Sequence, residues 1–195
     1  MDDISRRITD VEALKVFTHP LRIELLRALS TRPSATASQL AEQVDEAVSL
    51  VSYHLRKLAE HGFLVEAPAQ SGDGRERWWK RAEDKTLTFR SSDFDDRPEG
   101  AAVAGEVTRR LLQAQTDRYA RFLDQRGTWP TEWSDAAFSS GHQARLTAAE
   151  LAELGAELSA LAQKWADRAS AAEEAGETEG REQVALHLYG FPYRP

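Results

Sequence analysis

Val48-Ser49-Leu50-Val51-Ser52-Tyr53-His54-Leu55-Arg56-Lys57-Leu58-Ala59-Glu60-His61-Gly62 is the stretch on which the fold turns. Val51, Leu55 and Leu58 recur at helical spacing, which predicts a helix over 48–61 with that apolar stripe inward. Gly62 then falls just past the helix end, where a left-handed backbone suits a residue without Cβ. With the stripe inward, Val48, Ser49, Ser52, Tyr53 and Arg56 face outward. That face holds small hydroxyls near the helix N-terminus, a phenol, and a cation one turn later. Such a helix can sink into a DNA major groove, with the small polar groups at base edges and Arg56 at a phosphate. The competing reading is a merely solvated face, and the helix alone does not decide between them.

The flanking chain supplies the context. Ile8, Val11, Leu14 and Phe17 predict a first helix over 8–18. Pro20 opens a second helix, where its missing N–H costs nothing, and Arg32-Pro33-Ser34 ends it. Thr36 and Gln39 have capping-box spacing and open a short helix with Leu40, Ala41 and Val44 inward. Asp45-Glu46-Ala47 is a tight turn before the helix quoted above. Beyond Gly62 the period changes. Phe63 to Ala67 reads as a strand, Gly72-Asp73-Gly74 as a turn, and Arg75 to Arg81 as a returning strand, with a further short strand at Leu87 and Phe89. Trp78 and Trp79 fall one to each face of that hairpin. Four helices, the third of them short, and then a hairpin make the order of a winged helix-turn-helix. Arg56, Lys57, Arg75, Arg77, Lys80 and Arg81 gather cations on its recognition helix and wing. Arg75 and Arg77 near the hairpin tip suit the DNA backbone or a minor groove. His54 reads as a packing residue rather than a base reader, and His19 as a turn residue.

Four blocks in order carry a family resemblance: His19-Pro20-Leu21-Arg22-Ile23-Glu24-Leu25-Leu26, Ala37-Ser38-Gln39-Leu40-Ala41, Val51-Ser52-Tyr53-His54-Leu55-Arg56-Lys57-Leu58, and His61-Gly62-Phe63-Leu64-Val65. Over residues 8–82 the chain resembles the ArsR-type winged-helix transcriptional regulators. The resemblance implies a homodimeric repressor that leaves operator DNA when an inducer binds. It implies base contacts from Val48, Ser49, Ser52 and Tyr53. Ala47 and Val48 stand where such proteins often carry a hydroxyl cap and a polar residue. The metal sensors of that family use cysteines, or His and carboxylate sets. This chain has no cysteine, and its five histidines form no H-x3-H pair on one predicted helix. A non-metal signal is therefore expected, with no metal site and no cofactor.

The rest of the chain has a different character. Residues 1–82 carry 12 Lys and Arg against 12 Asp and Glu, and residues 83–195 carry 13 against 20, so the net charge of −7 lies wholly in the latter. Ser91 to Gly100 has linker composition. A long helix over 101–125 has a broad apolar face of Val103, Val107, Leu111, Leu112, Tyr119, Phe122 and Leu123, suited to dimerisation. Gly127 to Asp135 reads as irregular and Ala136 to Leu146 as extended. Thr147 and Glu150 form a second capping box, opening a helix with a heptad seam of Leu151, Leu154, Leu158, Leu161 and Trp165, read as intramolecular core. Ala171 to Gly180 reads as a loop and Gln183 to Tyr189 as a strand. Trp129, Trp133, Trp165 and Tyr189, with Phe191, form a candidate ligand pocket, with core packing as the competing reading.

The expected fold class is mostly α with a small β component. A winged helix-turn-helix domain spans 1–90 and a linker 91–100. A long dimerisation helix and a small α+β region, with a possible sensor role, span 101–195. No apolar run approaches a membrane span, and no signal peptide opens the chain, which places the protein in the cytoplasm. No P-loop, dinucleotide fingerprint, zinc-protease or nucleophile-elbow motif is present, so an enzyme is not expected. The expected partners are double-stranded operator DNA, a second copy, and an effector of unknown identity. The alternative function is a winged-helix protein-interaction module that has lost specific DNA binding, a reading that the negative net charge favours.

Overall fold

The computed structural model describes residues 5–69, 76–82 and 86–194. The chain forms two compact units, Met1–Arg121 and Phe122–Pro195. The first opens with strand β1 (Ser5–Arg7) and helix α1 (Val11–Lys15). The Asp10 carboxylate caps α1 by accepting the Ala13 N–H at 3.0 Å, and a 3-10 turn follows at Val16–Thr18. The helix expected from residue 8 is therefore shorter. Ile8 precedes the cap and donates its N–H to the Thr88 carbonyl. Helix α2 (Pro20–Ala28) has Pro20 in its first turn, as expected. It stops before Arg32 because the Ser30 and Thr31 hydroxyls donate to the Arg27 and Ala28 carbonyls, which competes with further helical bonds.

Strand β2 (Ala35–Thr36) runs directly into α3 (Ala37–Val44). The predicted capping box is formed: the Gln39 N–H donates to Thr36 Oγ1 at 3.3 Å and the Thr36 N–H to Gln39 Oε1 at 3.0 Å. Helix α4 (Val48–Glu60) follows. At its end Gly62, at φ 69°, donates to the Ala59 carbonyl, and Phe63 donates to the Leu58 carbonyl. This pair of bonds satisfies two of the last carbonyls and turns the chain sharply. Strands β3 (Leu64–Ala67) and β4 (Trp78–Arg81) are antiparallel, with Leu64 opposite Arg81. β2 pairs on the other edge of β4, with Ala35 opposite Trp79, which gives the order β2-β4-β3. The returning strand expected from Arg75 is described from Trp78, and Arg75 lies outside the described residues. Trp79 enters the core, while Trp78 is buried outside that cluster.

Strand β5 (Thr86–Thr88) pairs parallel to β1, a contact with no signal in the sequence. The stretch 91–100, expected as a linker, is packed. A 3-10 turn at Ser91–Asp93 delivers Phe94 to the core at 1% exposure, and α5 (Pro98–Gln125) starts at Pro98. A Cβ at Gly100 would lie 2.6 Å from the Phe94 carbonyl oxygen, so this close approach requires glycine. Ala104 and Val107 of α5 join Leu14, Leu25, Leu40, Val51, Leu55 and Leu58 in one core. At the periphery Arg7 pairs with Asp93, and Lys15 pairs with both Glu12 and Glu99 at 2.7 Å. Leu112 and Tyr119, farther along α5, are exposed.

In the second unit a 3-10 turn at Arg126–Thr128 precedes helix α6 (Thr131–Ala136), where irregular chain was expected. Helix α7 (Ala148–Glu174) starts at the predicted capping box. There Glu150 donates its N–H to Thr147 Oγ1, and its carboxylate accepts from the Thr147 N–H at 2.7 Å. It runs through Ala171, past the predicted boundary, because Ala166, Ala169, Ala171 and Ala172 are strong helix formers. The strand expected over 183–189 is not formed, and the second unit holds helices and irregular chain rather than an α+β region. Val184, Leu186 and Leu188 have a strand's period, but among the described residues of this unit no second strand exists to pair with them. The heptad seam is also not a core: Leu154, Leu158, Leu161 and Trp165 are 38–60% exposed. Among the described residues no helix is long and apolar enough to cross a membrane.

Candidate nucleic-acid interface

Helix α4 is divided lengthwise by its packing. Val51, Leu55 and Leu58 are fully buried against α2 and α3, as their spacing predicts. Val48 and Tyr53 are each 46% exposed, Ser49 and Arg56 are exposed, and Ser52 and Lys57 are half-buried. The structure therefore brings the six predicted α4 residues onto the part of the helix that the core leaves uncovered. Ala47 precedes the helix in an extended conformation and offers no side-chain cap, so the first-turn N–H groups are not occupied by its side chain.

The cations on this face are engaged only locally. Arg56 Nε donates to the Ser52 carbonyl one turn back, at 3.2 Å. Lys57 Nζ pairs with Glu60 at 2.7 Å, and this hydrogen bond holds the Lys57 pKa above and the Glu60 pKa below their ordinary values. Beside the wing strands, Arg77 lies 3.5 Å from Glu66, with both side chains largely exposed. Lys80 is exposed and Arg81 half-buried on β4.

Beneath the recognition helix lies a set of residues that the sequence reading left without a joint role. His54 is 2% exposed and sits on the same inward stripe as Val51 and Leu58. Its Nδ1 accepts from Arg22 Nε at 3.1 Å, while Arg22 Nη1 donates to the Val16 carbonyl at 3.1 Å. The His19 ring is 4.1 Å from His54 centre to centre, and the exposed Tyr53 ring meets His54 edge to face at 5.1 Å. Burial, then the neighbouring His19 and Arg22, push the His54 pKa down to about 4. Burial, then Arg22 and Arg110, also lower that of His19. His54 is thus neutral near pH 7, with Nδ1 as acceptor and the proton on Nε2, which is buried without a partner. The signal that could have found this cluster is the spacing of His54 from Val51 and Leu58, which places an imidazole in a core stripe beside a basic α2.

The predicted aromatic pocket is not assembled. Trp165 and Tyr189 are exposed, and Arg168 lies over the Trp165 ring at 5.1 Å. Trp129 and Trp133 are half-buried. Two shallow cavities in this unit are lined by other residues, among them Glu173, Arg181 and Gln183 in one and Arg168, Ala172 and Glu177 in the other. Among the described residues no group of three His, Cys, Asp or Glu side chains is placed to hold a metal ion.

A helix-turn-helix domain family profile matches residues 17–67, the span from the 3-10 turn after α1 to the end of β3. This part of the chain is a winged helix-turn-helix domain. No curated protein sequence matches the chain. Among solved structures it is similar to an apo mutant of Lactococcus lactis ZitR, at 16% identity over 76% of this chain and 83% of that one, with a TM-score of 0.32. It is also similar to the transcriptional regulator Tm0710 from Thermotoga maritima, at 17% identity over 68% and 90%, with a TM-score of 0.31. Wild-type L. lactis ZitR in complex with DNA matches at 15% identity over 77% and 74%, with a TM-score of 0.28. Scores of this size establish no shared overall architecture, and the winged-helix assignment rests on the elements above and on the profile.

Proposed function

We propose that this chain is a sequence-specific DNA-binding transcriptional regulator of ArsR-like type, a homodimeric repressor released from its operator by a non-metal signal. One observation carries the DNA reading. α4 buries Val51, His54, Leu55 and Leu58 and leaves a face of small hydroxyls, a phenol and cations open, on a domain of winged-helix order. With α4 in the major groove, Ser49, Ser52 and Tyr53 meet base edges. Arg56, Lys57, Arg75 and Arg77 meet phosphates. The local partners of Arg56 and Lys57 do not oppose this. An exposed ion pair such as Lys57–Glu60 is weak in water, and a phosphate is a stronger acceptor for the same cations.

The homodimer reading is supported by Leu112, Tyr119 and Leu123, exposed apolar residues along α5. Monomers in water seldom leave large contiguous apolar patches open. A two-fold pair also presents two recognition helices to half-sites one DNA turn apart. The non-metal reading is supported by a sequence with no cysteine and no H-x3-H pair on one helix.

Genome-wide capture of bound DNA supplies the operator, and fluorescence anisotropy with operator and random duplexes over a salt series then tests the contacts. Ser52→Ala and Tyr53→Ala should narrow the gap between the two duplexes, by roughly 1–3 kcal/mol for a lost base contact. Arg77→Ala should weaken both alike and reduce the salt slope by about one. Identical behaviour of the two sets overturns this placement of helix and wing. Absence of any sequence preference in the unaltered protein favours the interaction-module reading, with which a net charge of −7 agrees.

A further inference from the structure

The heptad seam of α7 is exposed although it has the pattern of a buried one. Leu151, Leu154, Leu158, Leu161, Trp165 and Arg168 follow steps of three and four. The irregular tail approaches this helix at Leu151, where a Cβ on Gly190 would lie 3.1 Å from Leu151 Cδ1, yet it leaves the middle of the seam open. What covers it is indicated by the charges beside it. Glu157 and Lys164 precede Leu158 and Trp165, seam positions one heptad apart, and so lie on the same flank. Among the described residues neither makes an ion pair within the chain.

We infer that α7 pairs with α7 of a second copy, antiparallel, about a two-fold axis between Ser159 and Ala160. The inference rests on the homodimer reading and adds to the apolar face of α5 a second paired surface with a stated direction. In this register Leu158 meets Leu161 of the partner subunit, Leu154 meets the partner's Trp165, and Leu151 meets the partner's Arg168, each twice by symmetry. Arg168 holds its guanidinium over the Trp165 ring, 5.1 Å from the ring centre, and so closes each end of the paired seam with a cation. On one flank Glu157 stands opposite the partner's Lys164. On the other flank Gly155 stands opposite the partner's Ala162, and a Cβ on Gly155 would meet nothing within 4 Å, so that side is open to close approach.

The alternatives are less favourable for stated reasons. A parallel pair sets Glu157 beside Ala162 and Lys164 beside Ala169 of the partner subunit, with no charge partner for either. A slip of one heptad in the antiparallel pair sets Glu157 against its own copy in one direction and Lys164 against its own copy in the other. Like charges in that position repel. Only the register centred between Ser159 and Ala160 satisfies both residues twice.

The chain has no cysteine, so single thiols can be placed without background. Full-length Glu157→Cys and Lys164→Cys proteins are treated, separately and mixed, with a thiol cross-linker spanning about 8–10 Å, the usual distance between packed helices. Cross-linked dimer is expected from the mixture and not from either protein alone. In parallel, Glu157→Lys and Lys164→Glu are each expected to raise the dimer dissociation constant roughly tenfold, and the double exchange to restore it. Both sites are on the surface, and circular dichroism confirms that the variants fold. Cross-linking of either protein with itself, or a dimer that resists every cross-link, overturns the antiparallel α7 pair and leaves the homodimer reading standing. A single monomeric species by sedimentation at micromolar concentration overturns both.

Discussion

Residues up to Arg121 and residues beyond it treat their apolar side chains in opposite ways. In the first unit Leu14, Leu25, Leu40, Val51, Leu55 and Leu58 are fully enclosed, and even the acidic stretch before α5 contributes Phe94. In the second, Ala172 is the one buried hydrophobic residue among those described, while Leu154, Leu161, Trp165, Leu186 and Phe191 face outward. Composition does not cause the difference, because both regions contain amphipathic helices. Among its described residues the first has helices α1 to α4, most of α5 and two small sheets meeting from several directions. In the second, one helix of 27 residues dominates the regular structure, and a single long helix has no second layer to bury its stripe against.

The sharpest way to test the contrast is to delete the same side chain in each region. Leu55→Ala, in the closed core, should cost about 2–5 kcal/mol, read as a lower urea midpoint. Leu161→Ala in protein diluted below its association range should cost far less, since the side chain is already half in water. Its larger effect should appear in the dissociation constant. Equal losses in dilute protein would show that the second region has a core after all.

Acid should act first on the closed region. The folded His54 pKa of about 4 lies below the ordinary 6.5, so the unfolded chain binds a proton that the folded chain refuses between these values. The His54 contribution is complete above pH 6.5, falls as the pH drops toward 4, and amounts to about 3 kcal/mol over that window. His19 acts in the same direction. Hydrogen exchange of α4 amides at pH 7.5 and pH 4.5 should reveal the loss, and His54→Gln should flatten it. An unchanged slope in that variant would assign the acid sensitivity elsewhere.

Two smaller effects refine the boundary between the regions. Gly100→Ala should destabilise the first unit by about 1–3 kcal/mol, because its Cβ meets the Phe94 carbonyl and both segments are packed. A free linker there would tolerate the change. Removing the capping hydroxyl by Thr36→Ala should cost about 1 kcal/mol of global stability. The chemically equivalent Thr147→Ala should appear only as fraying of the first turn of α7 in hydrogen exchange.

Local chemistry was the most legible part of the sequence. Both capping boxes, Pro20 in the first turn of α2, Gly62 after α4 and the inward stripe of α4 needed only residues a few positions apart, and all are present. Features that depend on distant partners were not legible. The β1–β5 pair is three residues long and joins chain segments some eighty positions apart, too short for any period to show. Phe94 sits among acidic residues that look like linker, and only the approach of Gly100 shows why it is buried. The alternation at Val184, Leu186 and Leu188 is a real period, but a strand also needs a neighbour, which a one-chain pattern cannot supply. Of the candidate interface, the α4 residues could be read from helical pitch. The Arg22–His54 hydrogen bond could not, since it joins two helices through a polar contact inside an apolar stripe.

The joint at Gly62 and Phe63 also fixes how much the length of this chain can vary. Phe63 is bonded back to Leu58, its ring stands edge to face with Phe17 at 4.9 Å, and the next residue already pairs with Arg81. One residue added or removed there would shift β3 by one position and turn its buried side chain, Leu64, to the opposite face of the sheet. Insertions and deletions are therefore excluded between recognition helix and wing. The stretch from Ala137 to Thr147 is exposed throughout, and there a gain or loss of residues costs only the slowly growing entropy of closing a longer loop.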